Sequence, residues 1–161
     1  MSDPIAAPVW PVQAAMRAFY GPVGANLAPL VPPFVMTYDG KPIHSFVVNA
    51  RCRDSLLRVL TAIWEAASHS QAAVDEWGAS IFGGCFNNRS MIGGTTPSCH
   101  AYGAAIDLDP ARNPYTHNMN VKGHFTPDHP VTLAFAREGW IWGGNWTGVK
   151  DYMHWQAARV R

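Results

Sequence analysis

Thirteen prolines and fourteen glycines punctuate this chain of 161 residues. Proline removes a backbone donor and fixes φ, and glycine opens turn conformations, so a chain cut this often favours an irregular, loop-rich architecture over a helical bundle. Hydrophobic residues at 48% still supply apolar surface for a packed core, and charged residues at 14% are too few for a solvated, disordered chain. The length suits a single domain over residues 1–161, without a second module. Twelve basic side chains against eleven acidic ones leave a net charge of +1, without the dense cationic face that a phosphate backbone requires. Nucleic acid is therefore not the expected partner.

No basic segment followed by an unbroken apolar run opens the chain, because Pro4, Pro8, Pro11, Pro22 and Pro29 interrupt it. No later stretch reaches membrane-spanning length. The expectation is a protein with no signal peptide and no membrane insertion, made in the cytoplasm. Cys52, Cys85 and Cys99 cannot all pair within one chain, which excludes a purely disulfide-stapled scaffold and leaves one Cys85–Cys99 bridge open.

Local patterns predict short elements. Residues 12–20 read as a helix ended by Gly21-Pro22, and residues 34–38 and 45–49 as strands. Asp54 is placed as the N-cap of a helix whose Leu56, Leu60, Ile63 and Ala67 form one apolar stripe. Residues 71–80 are ambiguous, and Gly83-Gly84 signals a turn. Pro130 suits the first turn of a helix that Gly139 terminates, and residues 139–144 and 153–156 read as strands joined by a tight turn. Most of the seven tryptophans are expected to fill the core.

Chemistry concentrates in residues 98–109 and 151–155. Alternation over 104–109 sends Ala104, Ile106 and Leu108 to one strand face and Ala105, Asp107 and Asp109 to the other. Gly103 permits a bend that lets His100 and Asp107 converge. Catalytic zinc takes three protein ligands and keeps one position for water, so His154 would complete a set of two imidazoles and one carboxylate. A turn at Tyr152 would swing Asp151 over the open position, as a general base.

Ser98, His100, Gly103, Ala105, Asp107 and Leu108, followed by Asp151, His154 and Trp155, resemble the signature of the M15 zinc peptidases, the D-alanyl-D-alanine carboxypeptidase and VanY-like family. Trp142-Gly143-Gly144 with Trp146 resembles the segment before the closing motif. Residues 83–89 and Asn113-Pro114 further resemble its phage endolysin branch, the L-alanyl-D-glutamate peptidases. The likeness runs over residues 83–155, and the first eighty residues match only loosely.

This resemblance implies an α+β fold of the Hedgehog/DD-peptidase type, with a small antiparallel sheet, flanking helices and long loops. It implies zinc on His100, Asp107 and His154, Asp151 as the base, and Arg89 as the side chain that holds substrate or stabilises the oxyanion. Asn145 stands where relatives often carry an acidic residue. The implied partner is a peptidoglycan stem peptide, cut by a monomer without a separate cell-wall-binding domain, after release from the cytoplasm of the host. Ser98, Tyr102 and Trp142 are candidate substrate contacts.

Rival readings accompany each of these. Asp109 shares the expected face of Asp107, which is preferred on the family spacing. His117, His124 and His129 are competing ligands, expected to be mostly solvated in a polar loop. Cys99 adjoins His100, but neighbours on an extended segment point opposite ways, so a buried or bridged thiol is expected. Ser98 lacks the Gly-x-Ser-x-Gly elbow of a serine hydrolase, so turn capping is its alternative role. Two other functions remain in play: a D-alanyl-D-alanine carboxypeptidase, or a non-catalytic zinc-containing module that recognises the cell wall or a partner. A silent module would have no need of a base at Asp151.

Overall fold

A computed structural model describes residues 6–160; Pro4 lies outside them. In chain order the elements are α1 (Met16–Tyr20), β1 (Leu27–Leu30), β2 (Met36–Tyr38), β3 (Lys41–Ile43), β4 (Phe46–Asn49), α2 (Arg53–Ala66), α3 (Gln71–Trp77), β5 (Phe82–Gly84), β6 (Ala105–Leu108), β7 (Tyr115–Thr116), α4 (Pro130–Arg137), β8 (Ile141–Trp142), β9 (Lys150–Asp151) and β10 (His154–Gln156). The architecture is α+β. Its strands form a four-stranded antiparallel sheet in the order β5-β6-β10-β8 and three two-stranded ribbons, β1-β4, β2-β3 and β7-β9. None of these sheets closes into a barrel. Among the described residues no helix is long and apolar enough to cross a membrane.

The amphipathic stripe of α2 packs as its spacing predicts, with Leu56, Leu60 and Ile63 fully buried and Ala67 nearly so. Asp54, however, does not cap it. The N-cap is Cys52, without a side-chain bond, and Asp54 sits in the first turn, where a negative charge favours the helix dipole. Residues 71–77 resolve as α3 because Ser70 accepts a bond from the Ala73 amide and Gly78 closes the end in a left-handed conformation. Pro130 starts α4 as expected, with His129 as its cap through Nδ1.

Two glycine pairs behave differently from their local signal. Gly83 and Gly84 lie in or beside the ladder with β6 instead of a turn, since pairing there needs a backbone that approaches Asp107 closely. Gly143 and Gly144 leave strand β8 and enter a short 3-10 turn over Gly143–Asn145. The hairpin expected from 139–144 to 153–156 consequently contains an additional strand, β9.

The core joins these pieces. Trp155 on β10 stacks on Phe135 of α4, with centroids 4.6 Å apart and planes within 10°. Trp142 of β8 lies nearly parallel to Trp155, with centroids 6.4 Å apart. Large rings thereby fix β10, the strand that also presents His154 to the opposite side.

Candidate metal centre

Ser98 begins the first half of the site. Its hydroxyl accepts from the Ala101 amide at 3.3 Å and caps a 3-10 turn, Cys99–Tyr102. The segment is thus a turn instead of the extended chain expected from sequence. Gly103 ends it with φ of 69°, and a Cβ at Gly103 would meet the Asn49 amide nitrogen at 2.8 Å, so only glycine allows this close return into β6. The turn projects His100 toward Asp107, while Cys99 points the other way, with its Sγ 3.7 Å from Met16 Sδ.

The second half comes from β10. His154 stands directly opposite Asp107 in the antiparallel ladder, and residues so paired share a face. Two segments about fifty residues apart in sequence are brought into contact by this register alone.

The three side chains meet at single atoms. His154 Nδ1 lies 3.1 Å from Asp107 Oδ1, His100 Nε2 lies 3.3 Å from the same oxygen, and the two nitrogens are 3.2 Å apart. The outer hydrogen bonds fix which atoms carry lone pairs. A carbonyl can only accept, so His100 must donate its Nδ1–H to the Cys85 carbonyl at 2.8 Å, leaving Nε2 as acceptor. Gln156 donates its amide to the Ala158 carbonyl at 3.0 Å, which turns its Oε1 toward His154 Nε2–H at 2.9 Å and leaves Nδ1 as acceptor. With both rings neutral, two lone pairs and a carboxylate oxygen converge without a donor between them. A cation reconciles them, either a metal ion or a proton on His154 Nδ1.

Dimensions agree with this reading. Tetrahedral zinc at ~2.0–2.1 Å from its ligands holds those ligand atoms about 3.3 Å apart, and the three edges here are 3.1, 3.2 and 3.3 Å. His100, Asp107 and His154 therefore fit a zinc ion, with outer partners of the kind that orient metal-bound imidazoles.

Charge is arranged accordingly. Burial opposes ionisation of Asp107, but with the rings protonated the hydrogen bonds and charge of His100 and His154 outweigh it and hold the carboxyl well below the usual range. Burial likewise opposes protonation of His154, yet the bond to Asp107 and the charges of Asp107 and Asp151 raise its pKa. Asp151 moves upward, chiefly through burial and also through the charge of Asp107, against the pull of His154, His100 and Arg89. Its Oδ1 is buried without a hydrogen-bond partner. Gly143 makes room for it, since a Cβ there would collide with the Asp151 carbonyl and Cβ.

A cleft of about 660 Å³ opens onto this cluster, and its lining includes Arg89, Ser98, His100, Tyr115, Asp151 and His154. Trp146 also lines it, with its ring 5.3 Å from that of His154. Tyr102 and Trp142 do not join them. Tyr102 is 8% exposed within the core, and Trp142 is 3% exposed with its indole N–H on the Tyr152 carbonyl at 2.9 Å, so neither forms the cleft wall expected from sequence.

The rival ligands are placed elsewhere. Strand β6 ends at Leu108, and Asp109 adopts φ of 47°, which turns its carboxylate away to Arg112 Nε at 2.5 Å. His124 and His129 are half-buried against Phe125 instead of solvated, because His129 serves as the α4 cap. Only His117 of the three is exposed. All three cysteines are buried and unbridged, and no Cys85–Cys99 bridge forms. Burial pushes the Cys99 thiol up to about 12, which keeps it from acting as a thiolate near neutrality.

Sequence reasoning missed three contributors: Gln156, the Cys85 carbonyl and Tyr115. Gln156 had a signal, being a polar residue two positions from His154 on the same strand face. A backbone carbonyl carries none.

Two imidazoles and a carboxylate beside a second, partly buried carboxyl group form the active centre of a metal-dependent hydrolase. Residues 92–157 match the model of the M15 peptidase family described as D-alanyl-D-alanine carboxypeptidase. This stretch, which is similar to an M15 peptidase domain, holds all three metal-ligand candidates and Asp151; Arg89 and the cleft residues Gln13 and Val160 lie outside it. Searches of curated proteins and of solved structures return no match.

Proposed function

We propose that this protein is a peptidoglycan stem-peptide hydrolase that cuts the L-alanyl-D-glutamate bond, in the manner of a lytic endopeptidase. The observation that carries the hydrolytic reading is the convergence of His100 Nε2, Asp107 Oδ1 and His154 Nδ1 beside the unpaired Asp151 Oδ1. The choice of bond rests on the likeness of residues 83–89 and Asn113-Pro114 to the endolysin branch. Its substrate lies outside the membrane, so the enzyme would act there after release from the cytoplasm, as a monomer with one catalytic domain.

His100, Asp107 and His154 would hold a zinc ion, which would supply a Lewis acid for the scissile carbonyl and a lowered water pKa, toward ~7. Asp151 takes one proton from the attacking water as the new C–O bond forms, then delivers it to the amine as the C–N bond breaks. Its raised pKa suits both halves of that transfer. Arg89 is exposed at the cleft edge, where its guanidinium pairs with a substrate carboxylate or with the developing oxyanion.

The second reading, release of terminal D-alanine, is favoured by the description of the matching family. Digestion of purified peptidoglycan, followed by mass spectrometry with and without chelator, separates the two. New amino groups on D-glutamate are expected; free D-alanine alone would replace the first reading with the second. Finding neither new amino groups on D-glutamate nor free D-alanine in the presence of added zinc would remove both.

A further inference from the structure

Tyr115 has no role in the chemistry above, yet it lies opposite the proposed base. In the ribbon of β7 and β9, Tyr115 is the register partner of Asp151. Directly opposed residues of an antiparallel pair project from the same face, with Cβ atoms about 4.5–5.5 Å apart. Both side chains line the cleft. The bond from the Tyr152 amide to the Pro114 carbonyl, at 3.2 Å, pins the ribbon at this point.

The phenol is open to a ligand. Tyr115 is 36% exposed, and its ring stands edge-on to His117 at 5.5 Å. Its hydroxyl has His117 Nε2 at 3.5 Å, the outer limit of a hydrogen bond, so a closer partner can displace that contact.

Resting on the peptidase reading, we propose that Tyr115 binds the leaving side of the substrate, the fragment that departs with the new amine. The group that hands a proton to the leaving nitrogen must stand beside that nitrogen. Its cross-strand neighbour therefore stands beside the residue that carries it. There the phenolic O–H donates to a carbonyl or carboxylate of the departing residue, and the ring forms an apolar wall for its side chain.

The test uses the full chain loaded with zinc. The two fragments released by the wild type from a stem peptide are purified, and each is measured as a competitive inhibitor. In Tyr115→Phe the inhibition constant of the amine-bearing fragment rises about tenfold, and kcat/KM falls by a similar factor, as for loss of one hydrogen bond. The acyl fragment should bind unchanged, with zinc content and Tm also unchanged. A ring that merely supports the fold would weaken both fragments together; that result, no change in either, or weakening of the acyl fragment alone overturns the assignment. A wild type that releases no fragments defeats the peptidase reading first, and this assignment falls with it.

Discussion

Asp107, His100 and His154 expose at most 16% of their side chains, whereas Tyr115, Met91 and Ile92 on the cleft rim expose 36%, 42% and 69% of their surface. The first group is held from behind by the Cys85 carbonyl, Gln156 and the β6–β10 ladder. Met91 and Ile92 sit on a hairpin closed by the Ser90–Pro97 bridge and a bond from the Met91 amide to the Thr96 carbonyl. Three acceptor atoms repel one another and stay together only where several elements over-determine them, so the donor cluster is built into the core. A surface that must admit a peptide cannot be buried in this way. Gripping an ion and selecting a substrate are thus assigned to different parts of the molecule, and substitutions should separate them.

The largest effect is expected at the cluster. His154→Ala removes one of three ligands and should abolish both zinc retention and peptide cleavage, read by metal analysis and muropeptide release on the same sample. A variant that keeps one zinc per chain at wild-type affinity would show that another residue is the ligand.

Asp151→Ala should leave zinc content and folding intact while lowering kcat by about 10²–10⁴-fold, the range for loss of a general acid-base group. The pH profile gives an independent check. The base works ionised, so activity falls as pH drops through its pKa. Because burial and the charge of Asp107 push that pKa upward, the acidic limb should lie above the ordinary carboxylate range and disappear in the variant. An acidic limb unchanged by the substitution would assign it to another group.

Gln156→Ala tests whether orientation from behind matters. The ligand His154 remains, but its Nε2–H loses its buried partner, and zinc affinity should fall about 10–100-fold, as for other outer partners of metal-bound histidine. Competition with a chelator measures this. Unchanged affinity would mean that the β6–β10 register alone holds the ring.

This third variant also marks where the sequence stopped being readable. Strand alternation and the Gly103 bend placed His100 with Asp107, and the closing motif added His154, because these depend on neighbours along the chain. That His154 joins Asp107 was visible only through two separated motifs read together, and their ladder register left no mark in the sequence. Gln156 acts through a side chain across a strand face, and Cys85 through its carbonyl, so neither leaves a spacing pattern. Tyr102 and Trp142 failed as cleft residues for a related reason: an aromatic beside a motif looks the same whether it faces a ligand or the core. Gly83-Gly84 read as a turn, since nothing local to a glycine pair reveals that a strand will be laid against it.

The smallest effect is expected on the rim. Ile92 is largely exposed and touches the cleft from a hairpin, and surface substitutions of this kind usually change free energy by no more than ~0.5 kcal/mol, or about twofold. Ile92→Ala should therefore keep zinc affinity unchanged and alter kcat/KM by about twofold, measured on the same stem peptide. If it instead costs more than about tenfold, the hairpin closes over bound substrate and buries Ile92 in the complex. The contrast between a rigid donor cluster and a permissive rim would then hold only for the empty enzyme, and Met91→Ala, its neighbour on the same hairpin, should show a comparable loss.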